Sequence, residues 1–200
     1  GKAMGEAFAN EGMKIVLSDV FQPSLDAAVD ELRGRGADVI GVLTDVSKLE
    51  SVQALRDATV DHFGRVDVVC NNAGVASGAH GKLWEHEIND WRYAFSVHVY
   101  GVINGINAFV PWLLEHNDDG HIVNTSSVAG ITTVAYSGPY VVSKFACAAL
   151  TESVAHDLRA QGSAIGVSCL VPGAVDTRIA QSERNRPDEP PGEAQAPDHW

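Results

Sequence analysis

Cysteine, methionine and positive charge are all scarce in this 200-residue chain. Three cysteines, two methionines and 14 lysines and arginines stand against 26 aspartates and glutamates, giving a net charge of −12 and a pI near 4.9. Cys70, Cys147 and Cys169 are odd in number, lie in apolar segments and show no metal spacing. They argue against a disulfide framework or a zinc cluster and read as buried free thiols in a reducing compartment, with the cytoplasm as the expected location. The acidic balance argues against nucleic acid and anionic membrane as partners. No apolar run approaches membrane-spanning length, and the start GKAMGEAFANEG has the layout of neither a signal peptide nor a transit peptide. His80 and His86 have no third ligand at metal spacing, so both read as surface histidines and no metal is expected. What remains is an ordinary globular composition, 45% hydrophobic and 20% charged with mean hydropathy −0.03, sized for one domain.

The informative stretch runs from His121 to Leu150. It reads as a buried strand (His121 to Thr125), a loop carrying Ser126 and Ser127, and a helix entered near Gly138-Pro139. On that helix Tyr140 and Lys144 are four residues apart, so both project from one face. A free tyrosine, with a pKa of about 10, is too weakly acidic to serve as a base near neutrality. An ammonium beside the phenol favours the phenolate. Tyr140 could then exchange a proton with a substrate hydroxyl or carbonyl while Ser127 hydrogen-bonds the same oxygen.

Ser127 followed thirteen residues later by Tyr140-x-x-x-Lys144 resembles the short-chain dehydrogenase/reductase family. Three further segments carry the resemblance in the family's order and at its separations: Thr44-Asp45-Val46, Asn71-Asn72-Ala73-Gly74, and Pro172-Gly173-Ala174-Val175-Asp176-Thr177. It spans Gly1 to about Arg178. Gly1 is similar to the last glycine of the family's Thr-Gly-x-x-x-Gly-x-Gly turn, so the chain is expected to begin inside a phosphate-binding loop, without the strand before it. The resemblance implies that Asp45 meets the adenine amino group beside the Val46 backbone. It also implies that Asn72, with Ala73 and Gly74 beside it, lies along the cofactor ribose while Asn71 supports the sheet. Val175 and Thr177, delivered by the Pro172-Gly173 turn, would hold the nicotinamide carboxamide. Lys144 would bind the nicotinamide ribose, and Tyr140 would face the same cofactor. His98 occupies a position that is normally Asn in the family, where it belongs to a proton relay. It could relay the proton itself or be a partly buried histidine with a satisfied hydrogen bond.

Along the chain, Lys14 to Val20 reads as a strand ending in Asp19, about 18 residues after Gly1. A carboxylate there suits the adenosine ribose hydroxyls and repels a 2′-phosphate, and apolar Val20 and Phe21 follow it. NAD is therefore expected in preference to NADP; the alternative is a solvated Asp in a turn. Helices are predicted from Lys2, over Ser24 to Arg33 with Ser24 as cap, and over Lys48 to Phe63 with Asp45 or Ser47 as cap. Strands are predicted over Ala37 to Leu43, over Val66 to Cys70 (fully buried) and over Ile165 to Val171. A long helix from Glu85 to about Leu114 is expected to kink or break at Pro111. Past Ala180 the chain turns polar and holds four of its eight prolines, so residues 179–200, the family's substrate-lid position, should be mobile or irregular.

Alternating strands and helices imply an α/β fold: a three-layer doubly wound parallel sheet of the Rossmann type, apparently lacking its first strand and its last helix and strand. Residues 1–178 would form the nucleotide-binding catalytic domain. The first strand belongs at the centre of the order 3-2-1-4-5-6, so strands on either side should show unpaired edges. The reading is an oxidoreductase passing hydride between NAD and a secondary alcohol or ketone, assembled as a homotetramer or homodimer when full length. A catalytically silent dinucleotide-binding or scaffold protein is the alternative.

Overall fold

The computed structural model describes residues 1–78, 80–116 and 119–187. Six α-helices alternate with five strands among them: α1 (Lys2–Asn10), β1 (Ile15–Asp19), α2 (Gln22–Gly34), β2 (Val39–Leu43), α3 (Leu49–Phe63), β3 (Val68–Asn71), α4 (Ile88–Phe95), α5 (Gly101–His116), β4 (His121–Thr125), α6 (Gly138–Ala160) and β5 (Gly166–Leu170). All strand pairings are parallel, as helical crossovers require. The sheet comes in two pieces, β1-β2 and β3-β4-β5. Among the described residues β1 pairs only with β2 and β3 only with β4, leaving each one edge without a neighbour, and both line one cleft of about 1840 Å³. This is the interruption expected between the strands flanking the sheet's centre.

Each piece has its own apolar core. Leu25, Val29 and Leu32 recur along one face of α2 and close over Ile15 and Val39. The larger cluster joins Val52, Val66, Val69, Ala108, Phe109, Leu113, Ile122, Val154, Leu158 and Ile165, packing α3, α5 and α6 against β3 and β4. β3 is less buried than its apolar sequence suggests: Val69 is buried, but Val68, Cys70 and Asn71 are half-exposed, because one edge opens to the cleft.

Several predicted helix starts move. Phe21 caps α2 and Lys48 caps α3, both with extended backbone and no side-chain hydrogen bond, so neither Ser24, Asp45 nor Ser47 is a cap. Pro23 at the start of α2 supplies a preset φ instead. α5 runs through Pro111 without a break. The interruption comes earlier, as one π turn, Ser96–Tyr100, between α4 and α5. Taken as one helix, Ile88–His116 is long and apolar enough to cross a membrane by length and composition, although no single run in the sequence shows it. Here its apolar residues Val102, Ala108, Phe109 and Leu113 are spent on the core.

Candidate active site

β4 carries the chain into the cleft and α6 carries it back. Ser126, fully buried, donates its hydroxyl to the Lys144 carbonyl at 2.7 Å, fastening the loop to α6. Ser127 accepts a hydrogen bond from the Ala129 N–H at 3.1 Å, which starts the 3-10 turn Val128–Gly130. Gly130 has to be small here: a Cβ would collide with Ser126 Oγ and the Lys144 carbonyl. Lys144 is 3% exposed, and its Nζ donates to the Thr125 carbonyl at 2.9 Å. The same Nζ stands 5.8 Å from the centroid of the half-buried Tyr140 ring. Burial holds the Lys144 ammonium below the ordinary lysine range, with the Cys147 and Cys169 thiols pulling partly the other way.

Behind this face lies a buried polar ladder that the sequence did not disclose. Asn71 Nδ2 donates to Asn124 Oδ1 at 2.8 Å, and Asn124 Nδ2 donates to Thr151 Oγ1 at 3.1 Å. Thr151 in turn donates to the Cys147 carbonyl at 2.7 Å. The register places Asn71 opposite Asn124, so two adjacent strands and α6 are bound through side chains as well as backbone.

His98 sits in the π turn and is 1% exposed. It does not line the cleft, although every other predicted site residue does. Its Nε2 accepts from the Val75 N–H at 2.9 Å and its Nδ1 is 2.8 Å from Ser143 Oγ. Both ring nitrogens are therefore committed inside the protein, and its edge-on contact with Tyr140 is ring to ring, at 5.4 Å between centroids. The satisfied buried histidine is the reading that the geometry supports.

The other side of the cleft gathers the predicted cofactor residues. Asp19 ends β1 with an exposed carboxylate, whose Oδ1 accepts from the Phe21 N–H at 2.9 Å. Thr44 N–H donates to the Asp19 carbonyl at 2.9 Å, which sets Asp45 beside it at the end of β2. Asp45 Oδ1 takes both the Ser47 N–H (3.0 Å) and the Ser47 hydroxyl (2.6 Å), while Asn104 Nδ2 holds the Val46 carbonyl at 2.8 Å. Gly1 and Asn72 are neighbours: a Cβ on Gly1 would stand 3.3 Å from Asn72 Nδ2. Ala73 and Gly74 follow Asn72 into the cleft, which Pro172, Gly173, Val175 and Thr177 close from the end of β5.

The segment expected to be irregular is partly ordered. Arg178–Asn185 forms 3-10 turns capped by Thr177, whose hydroxyl accepts from the Ile179 N–H at 3.4 Å. It is strapped down by buried Ser182, which accepts from the Ala76 N–H at 2.7 Å, while its carbonyl accepts from Tyr93 Oη at 3.1 Å. Arg186 bonds Asp90 Oδ1 at 2.7 Å and Ser77 Oγ at 2.6 Å. Burial, with Glu183 nearby, pushes the Tyr93 phenol up to about 12. Residues 188–200 lie outside the described residues. His86 also departs from expectation: its side chain is 3% exposed, edge-on to Trp91 and 3.7 Å from Asp90. No cluster of potential metal ligands occurs among the described residues.

A sequence model of short chain dehydrogenases matches residues 1–188. The chain is 38% identical over 181 residues to 1-deoxy-11-beta-hydroxypentalenate dehydrogenase from Streptomyces exfoliatus, covering 90% of this chain and 65% of that protein. It therefore spans just under two thirds of that curated relative. Among solved structures, a short chain dehydrogenase/reductase from Burkholderia phymatum in complex with NAD is 47% identical. It covers 99% of this chain and 70% of its own, with a TM-score of 0.90. An alcohol dehydrogenase from the archaeon Thermococcus sibiricus, complexed with 5-hydroxy-NADP, is 30% identical with a TM-score of 0.82, covering 91% of this chain and 74% of its own.

Proposed function

The chain belongs to the short chain dehydrogenase family, and on that premise we propose that it is an oxidoreductase interconverting a secondary alcohol and its ketone with NAD. The observation that carries this reading is the buried Lys144 ammonium beside Tyr140 on one face of α6, with Ser127 on the same cleft. Tyr140 exchanges the proton of the substrate oxygen as general acid or base. The Lys144 ammonium, buried and donating to the Thr125 carbonyl, stands beside that phenol. Ser127 orients the oxygen by a hydrogen bond.

The residues suit a nicotinamide dinucleotide. A cleft of about 1840 Å³ is large enough, and it runs from Asp19 and Asp45 to Thr177 and Tyr140. When bound, the nicotinamide supplies or accepts the hydride. Asp19 and Asp45 hold the adenosine end, Asn72 to Gly74 the middle, and Val175 and Thr177 the carboxamide. NAD is favoured over NADP because Asp19 offers an exposed carboxylate at the ribose position, with exposed Val20 and Phe21 beyond it.

The exposed loop between Ser127 and α6 favours an apolar substrate of moderate size. Ile131, Val134 and Tyr136 are exposed on the loop before α6, and exposed Leu83 lies against Gly138 at its start. Exposed Val142 and Phe145 on α6, with Tyr100 and Leu114, offer apolar surface for self-association into a dimer or tetramer.

The test is NAD reduction at alkaline pH over a panel of secondary alcohols, with NADP in parallel. Reduction with NAD alone supports the chemistry and the role of Asp19; preference for NADP removes that role and keeps the enzyme. Silence across the panel despite NAD binding returns the chain to the scaffold reading.

A further inference from the structure

His98 and Ser143 stand behind the reacting face in a chain of hydrogen bonds whose direction is fixed at every link. The Val75 backbone N–H can only donate, so His98 Nε2, at 2.9 Å, carries no proton. A neutral ring then holds its proton on Nδ1 and donates it to Ser143 Oγ, 2.8 Å away. The Ser143 hydroxyl, having accepted, gives its own proton to the Tyr140 carbonyl at 2.8 Å. Ser143 is fully buried, so no water competes for any of the three bonds.

We propose that His98 and Ser143 are positioning residues, a clamp that sets the backbone of Tyr140 against the Gly74-Val75 loop, and that His98 takes no part in proton transfer. The clamp joins three elements at the site: the loop after β3, the helical stretch 88–116 at its π turn, and α6 at the turn bearing the reacting phenol. A π turn inside a helix is uncommon and re-aims the residues it carries; here it falls on the residue that forms the clamp. The fit is close on the loop side as well, since a Cβ on Gly74 would lie 3.3 Å from His98 Nε2 and 3.6 Å from Lys144 Nζ.

The surroundings keep the ring neutral. The groups facing it are Lys144 and Tyr140 from α6 and the Val75 backbone from the loop. Burial first and the Lys144 charge second hold its pKa well below the ordinary histidine value. A second ring proton would also point at the Val75 N–H, donor against donor. Asparagine at this position could satisfy Val75 but is shorter than imidazole, so Ser143 is a partner that histidine in particular uses.

Two measurements test the clamp. In the unmodified protein with 15N-labelled histidine, NMR of the His98 ring is expected to show the proton on Nδ1 and no titration across the pH range of activity. A ring protonated on Nε2, or one that titrates in that range, overturns the proposal. The second is a double-mutant cycle on kcat. Ser143→Ala leaves the buried Nδ1–H of His98 without a partner and is expected to lower kcat about tenfold. In a His98→Asn background the same change should cost about twofold at most, and His98→Asn should leave the acid limb of the pH–rate profile where it was. Equal losses in both backgrounds, or an acid limb that moves with His98, contradict the clamp. The kinetic arm rests on the oxidoreductase reading. The spectroscopic arm does not, so failure of the clamp and absence of the activity remain distinguishable.

Discussion

β1 and β2 form a two-stranded sheet closed by Ile15, Leu25, Val29, Leu32 and Val39, with ion pairs such as Arg35–Glu6 and Arg33–Asp30 on its surface. β3, β4 and β5 form a three-stranded sheet with twice as many buried core residues, and with the Asn71–Asn124–Thr151 ladder running through it. Exposed ion pairs add little to stability, whereas a satisfied buried network fixes geometry and is costly to break. The groups proposed to move a proton all belong to the second piece. The carboxylates proposed to hold adenosine stand at strand ends of the first. Polar ties join the two, among them Asn104 to the Val46 carbonyl at 2.8 Å and Arg178 to Ser24 Oγ at 3.2 Å. A reaction centre needs precise placement; a nucleotide's outer end needs charge and room.

That contrast can be attacked from either piece. Ser127→Ala removes the hydrogen bond to the substrate oxygen and is expected to lower kcat by about 10²–10³ while NAD affinity changes little; steady-state kinetics with NAD titration reads both. Asn124→Ala takes the acceptor from Asn71 Nδ2 and leaves Thr151 with only its bond to the Cys147 carbonyl, and should cost about 1–3 kcal/mol in a denaturant melt. Asp30→Ala, which removes the exposed partner of Arg33 in the other piece, should leave the midpoint nearly unmoved. Asp19→Ser removes the charge set against a 2′-phosphate, so the ratio of kcat/KM for NAD over NADP is expected to fall about tenfold. An unchanged ratio would detach Asp19 from the cofactor.

The smallest effect is on stability against pH. The folded-state pKa of Lys144 lies below its ordinary 10.5. Between those two values the unfolded chain binds more protons than the folded one, so this residue makes stability rise with pH across that window. Below it, burying the charged ammonium costs stability. Lys144→Met should therefore melt above the unmodified protein near neutrality, and the gap should close as pH rises toward 10.5.

Much of this was legible beforehand because it rests on period and punctuation. Every predicted strand and helix is present, and Gly12 and Gly64, with φ of 80° and 76°, end helices as glycine does in left-handed positions. The interruption beside β1 followed from the family resemblance of Gly1 together with the doubly wound strand order. Caps were misjudged because a serine or aspartate near a helix start is common, and only its side-chain direction decides. Asp45 spends Oδ1 on Ser47 instead of on α3. The π turn left no mark in the apolar pattern, so the interruption was expected at Pro111 and not at Ser96–Tyr100. Ser143, Asn124 and Arg186 are ordinary polar residues in sequence. Each matters through a partner at least 45 positions away that no spacing rule could supply: His98, Asn71 and Asp90.

The most direct test compares the rate of NAD reduction by Tyr140→Phe and by the unmodified protein, with the same alcohol and saturating NAD. Loss of the phenolic hydroxyl is expected to lower that rate by about 10²–10⁴, with NAD still bound. An undiminished rate would contradict the assignment of proton transfer to Tyr140 and, with it, the account of the site built on α6.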